Sequence, residues 1–87
     1  MTADVARAAT LALLAARAGD ATICPSEVAR AIAGDGAAAE AWREAMPGVH
    51  AAVDRLLGEG RIRLSWKGRM LAERSGPYRI GRGARDR

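Results

Sequence analysis

Apolar positions follow two different periods along this chain, and the change of period marks its main division. Val49, Ala52, Val53, Leu56 and Leu57 are spaced i, i+3, i+4, i+7 and i+8, with His50, Asp54, Arg55 and Gly58 outside the stripe. That spacing predicts an amphipathic helix over residues 47–58. Pro47 suits a first helical position, where the missing N–H costs nothing, and Gly60 suits an exit with positive φ. From residue 61 the period drops to two. Ile62, Leu64 and Trp66 alternate with Arg61, Arg63 and Ser65, which predicts a strand with one buried face. Tyr78 and Ile80 flank Arg79 in the same way. The two segments are therefore expected to pair with apolar sides together and to present Arg61, Arg63 and Arg79 outward.

The first half of the chain reads as supporting helices. Residues 3–18 predict a helix, with Thr2 or Asp4 at its start and Gly19 beyond its end. Leu11, Leu13 and Leu14 do not share one face, so this helix is expected to be sandwiched within the domain or to meet another subunit. Its apolar run, residues 8–16, has the length of a signal-peptide core. Asp4, however, stands where a positive leader belongs, the run is Ala-rich, and excision would remove a third of the helical core. The run is also too short to span a bilayer. Thr22-Ile23-Cys24 can add a short third strand. Cys24-Pro25-Ser26-Glu27 then opens a second helix, with Pro at the first position and Glu near the positive end of the helix dipole. Val28, Ala29, Ile32 and Ala33 form its buried face, and Gly34-Asp35-Gly36 stops it. Residues 37–45 predict an extra short helix anchored by Trp42 and ended by Met46-Pro47.

Helix, short strand, helix, extra helical turn, helix and ribbon is the order of a winged helix-turn-helix. The expected fold class is thus α+β and mainly helical, with three main helices, the extra short helix, and a small antiparallel sheet carrying a C-terminal wing. With 87 residues, one domain over 1–81 and a disordered basic tail over 82–87 account for the chain. Residues 22–31, then Trp42-Arg43, Met46-Pro47, Gly60-Arg61-Ile62, Lys67-Gly68-Arg69 and Gly76-Pro77, resemble a bacterial family of small proteins known only as a domain of unknown function, number 3253. The resemblance covers nearly the whole chain. It implies a winged-helix fold and no established activity.

Charge sharpens the functional question. Residues 1–60 hold five Arg against eight acids, a net of −3, while residues 61–87 hold nine cations against two acids, a net of +7. The overall charge of +4 hides a polarised molecule. A one-sided basic footprint is what a polyanion-binding surface requires, because phosphate contacts depend on local charge density. Thirteen of the fourteen cations are Arg in an Ala- and Gly-rich chain, a composition that a GC-rich genome also produces without selection for binding. The expected partner is nucleic acid, double-stranded DNA first, or else an acidic protein surface on a partner or a second copy. The candidate contacts are Arg61, Arg63, Lys67, Arg69, Arg79 and Arg82, with Gly48 offering free N–H groups at a helix start and His50 and Arg55 on the third helix. That helix lacks the Arg, Lys, Asn or Gln expected near the N-terminus of a base-reading helix, so a backbone-led mode through the wing is favoured.

Other chemistry is thinly represented. No Gly-rich phosphate loop follows a strand, no His pair has metal spacing, and one cysteine makes neither a zinc site nor an internal disulfide. No enzyme activity, metal or cofactor is expected, and the cytoplasm is the default compartment. The one reactive combination is Cys24 at a helix start with His50 as a base, if the fold brings them together. The plainer reading is a small buried thiol and a solvated imidazole.

Overall fold

A computed structural model describes residues 3–34 and 41–83. Three helices, α1 (Ala3–Ala15), α2 (Pro25–Ala33) and α3 (Ala41–Gly58), precede three strands, β1 (Ile62–Trp66), β2 (Arg69–Leu71) and β3 (Arg79–Arg82). The architecture is α+β and mainly helical. The strands form an antiparallel sheet in the order β2-β1-β3, and Ile23 adds an isolated antiparallel bridge to Ile80 on the outer side of β3.

The periodic positions become the core. Val49, Ala52, Val53 and Leu56 from α3, Val28 and Ala29 from α2, Ala6 and Leu14 from α1, and Ile62, Leu64, Tyr78 and Ile80 from the sheet side are all buried. Leu11 and Leu13 pack partly against the same cluster, while Asp4, Val5, Ala8, Ala12 and Ala15 leave the opposite face of α1 exposed, so the helix is not sandwiched within the domain. Thr10, also buried, donates its hydroxyl to the Ala6 carbonyl at 2.8 Å. At the start of α2, Pro25 occupies the first turn, and the Cys24 N–H donates to Glu27 Oε1 at 3.2 Å.

Four other expectations need correction. The third helix does not begin at Pro47: α3 is continuous from Ala41, with Pro47 inside it. Proline has no N–H to give the previous turn, yet Ala45 is buried and Trp42 and Met46 pack on the core, so tertiary burial keeps the helix whole across the expected break. Of the extra helix over 37–45, residues 41–45 thus belong to α3 and the rest lies outside the described residues. α1 ends at Ala15 rather than 18, closing with a tighter Arg17 N–H to Leu14 carbonyl bond at 3.1 Å. Trp66 does not share the burial of Ile62 and Leu64; it lies past the end of the core and is 38% exposed. Finally, the sheet does not stop at residue 81: Arg82 closes β3, and the Gly83 N–H donates to the Arg61 carbonyl at 2.9 Å. A Cβ at Gly83 would overlap the backbone of Gly60 and Arg61, so only glycine fits that crossing. Residues 84–87 of the expected tail lie outside the described residues.

Candidate nucleic-acid interface

The hairpin of β1 and β2 is built by alternation and a turn. Burial of Ile62 and Leu64 forces Arg63 to the opposite, exposed face. Lys67 and Gly68 both have positive φ, 51° and 81°, the conformation of a two-residue turn whose twist matches the strands. The turn returns the chain as β2, with Trp66 opposite Arg69, Ser65 opposite Met70 and Leu64 opposite Leu71. Arg63, Lys67 and Arg69 are all exposed. Between Gly60 and Ala72 there is no acidic residue.

The remaining expected contacts are distributed differently. Arg61 is half-buried next to Glu59, whose carboxylate feels its charge. Arg79 turns onto the α1–α2 connection: its Nε donates to Thr22 Oγ1 at 2.7 Å and its terminal nitrogen to the Thr22 carbonyl at 3.0 Å. Arg82 faces the inner side of β3, opposite Ile62. It donates to the carbonyls of Leu14 at 2.6 Å and Arg17 at 2.8 Å, placing a cation at the negative end of α1. Its Nε is buried with no hydrogen-bond partner in the structure. Gly48 lies inside α3, so its N–H is not at a helix start; the phosphate-capping role expected of it has no structural basis. Arg55 is exposed in the last turn of α3.

Acids cancel much of the other positive charge. Arg7 pairs with Glu59 at 2.7 Å, Arg17 with Glu27 at 2.9 Å and Arg74 with Asp54 at 3.0 Å. The Glu59 carboxyl is held below its ordinary range by the Arg7 hydrogen bonds. The bidentate bonds of Arg74 to Asp54 fasten the segment before β3 to α3. Three exposed cations, Arg63, Lys67 and Arg69, stand together on the hairpin.

Cys24 and His50 do meet at one cleft, each engaged with another neighbour. Burial pushes the Cys24 thiol up, but the Ser26 hydroxyl, 2.8 Å from Sγ, and the backbone N–H groups of Glu27 and Ser26 outweigh it and bring it below its usual value. The Nδ1 of His50 lies 2.7 Å from the Tyr78 hydroxyl. Among the described residues no group of three or more His, Cys, Asp or Glu is placed to hold a metal ion, and no helix is long and apolar enough to cross a membrane.

A family profile for a protein of unknown function (DUF3253) matches residues 3–83, from the first residue of α1 to the glycine that closes the sheet. The chain belongs to the DUF3253 family. No curated protein matches it.

In this DUF3253 chain the partial burial of His50 supplies a pH dependence. Burial, and then the Arg74 charge, depress the His50 pKa below 6.5, with Asp54 opposing. The unfolded chain therefore takes up the proton first. Stability from neutral His50 is fully present above about pH 6.5 and declines as pH falls toward the lower folded value. Urea midpoints at pH 7.5 and 5.5 should separate more in the wild type than in His50→Gln; equal separations would remove His50 from the effect. At the other extreme, burial raises the Tyr78 phenol to about 12.

Proposed function

We propose that this chain is a winged-helix protein that binds double-stranded nucleic acid, DNA first, through its β1–β2 hairpin, gripping the phosphate backbone with little selection for sequence. The order α1, Ile23 bridge, α2, α3, β1, loop and β3 supports the winged-helix reading, with residues 67–78 as the wing. The observation that carries the function is the exposure of Arg63, Lys67 and Arg69 on a hairpin that has no acid from Gly60 to Ala72. Phosphates are the ligand such a surface fits, because each contact releases condensed counterions.

Base reading by α3 is not part of this proposal. Its exposed positions include Pro47, Ala51, Asp54 and Arg55, and Asp54 is occupied by Arg74. The protein is proposed to act in the cytoplasm as an accessory to processes on nucleic acid rather than as a catalyst. Amide chemical shifts of the labelled protein, followed while a short mixed-sequence duplex is added, test the reading. Shifts should cluster from Arg63 to Leu71. Shifts confined to α1 and α2 would move the duplex to another face, and none at low salt would favour docking to an acidic protein; either overturns the reading.

A further inference from the structure

The chain has two Trp, one Tyr and no Phe, and all three aromatic residues converge on a single cleft. It has a volume of about 470 Å³ and lies between the start of α2, the first half of α3 and the loop before β3; Trp42, Trp66 and Tyr78 line it with Met46, His50 and Cys24. Its size falls in the range of about 300–1,000 Å³ typical of small-ligand sites. Tyr78 is buried in the core and Trp42 and Met46 pack against it, but core packing does not account for Trp66, which is 38% exposed at the end of β1. Exposed apolar surface concentrated in a concavity marks a binding site more than a scatter of single residues does.

The walls and the rim define the occupant. Aromatic walls call for a planar ring. No carboxylate lines the cleft among the described residues, which disfavours a cationic guest. Cations stand at both ends: the Arg30 guanidinium is 5.0 Å and that of Arg43 5.5 Å from the Trp42 ring centroid, while Arg69 sits directly across the ladder from Trp66, on the same face. A planar ring tethered to phosphates is a nucleotide. Arg69 is the hairpin cation on the cleft side of the sheet, Arg63 being on the other face, so it is Arg69 that links the cleft to the surface assigned to the phosphate backbone. The Ser26 hydroxyl and the His50 ring add hydrogen-bonding groups at the wall.

We infer that the cleft receives one unstacked nucleobase from the strand whose phosphates the hairpin holds, with Trp66 as the stacking face. This rests on the hairpin reading and extends it: the preferred target is a duplex with an unpaired base, at an end or a bulge, rather than a perfect helix. Stacking of one base on an aromatic side chain is strong enough to be measured and tolerates any base.

The test compares a blunt duplex with the same duplex carrying an unpaired adenine, both at one salt concentration. The unpaired base should tighten binding roughly tenfold. Trp66→Ala should abolish that gain while keeping blunt-duplex binding and the circular dichroism melt. Because both tryptophans line the cleft, the unpaired-base duplex should also quench intrinsic fluorescence and slow alkylation of Cys24 in the wild type, a readout that needs no variant. Blunt-duplex binding with no gain from the unpaired base, or a gain that survives in Trp66→Ala, overturns this inference and leaves the hairpin reading standing. Failure of both duplexes to bind overturns the hairpin reading itself. Quenching by a proline-rich peptide, without quenching by the unpaired base, assigns the cleft to protein and also overturns the inference.

Discussion

Replacing Arg63, Lys67 and Arg69 together by Glu is expected to lower duplex affinity several-hundred-fold at about 0.1 M salt. The magnitude follows from counterion release. Each phosphate contact releases about 0.9 cation, worth roughly 1.2 kcal/mol at 0.1 M, so three contacts contribute about 3.7 kcal/mol. Repulsion from the new carboxylates acts in the same direction. The fold should survive, since all three side chains are exposed and none is part of the buried core; an unchanged thermal midpoint verifies this. Arg55→Glu, on the last turn of α3, changes the charge by −2 against −6 for the triple variant and should cost about twofold or less, no phosphate contact being lost. A loss from Arg55→Glu of one third of the triple variant's on a logarithmic scale would mean that binding follows net charge and not the hairpin.

Truncation of Ile80 to Ala should be the most damaging single change to stability. Ile80 is fully buried, stands opposite Leu64 in the sheet, and exchanges backbone hydrogen bonds with Ile23 at 2.7 and 2.8 Å. Its side chain therefore sits where β1, β3 and the entry to α2 meet. Removing a buried Ile to Ala costs about 2–5 kcal/mol, against a total of roughly 5–15 kcal/mol for a domain. At about 4–8 °C per kcal/mol for a chain of this size, the melting midpoint should fall by some 10–30 °C. A fall of only two or three degrees would show that the sheet contributes little to the core. Arg79→Ala tests a related tie: loss of its two bonds to Thr22 should lower stability more than it lowers duplex binding.

Where sequence reading succeeded, a local physical rule was strong enough to act alone. The stripe from Val49 to Leu56, the Pro25 and Glu27 start of α2, the period-two run of β1 and the positive φ of Gly60, 75°, are of this kind. Where it fell short, partners distant in sequence decided the outcome. Pro47 reads as a helix boundary, yet burial of Ala45 carries α3 through it. Arg79 and Arg82 read as surface cations because their acceptors lie 57 and 65–68 residues away, beyond any periodic signal. β2, at three residues with two exposed, has no alternation to detect. The aromatic cleft was the most hidden feature. Its one trace in the sequence is the scarcity of aromatic residues, which makes their meeting at one place informative only once the fold is known.

The salt dependence of binding tests the central claim most directly. Fluorescence anisotropy of a labelled mixed-sequence duplex, titrated with the wild-type protein at several salt concentrations, gives log K against log salt. Contacts from Arg63, Lys67 and Arg69 should yield a straight line with a slope of about −2.7. Absence of binding at the lowest salt, or an affinity that does not change with salt, would contradict a phosphate-gripping hairpin and point to an acidic protein as the partner of this face.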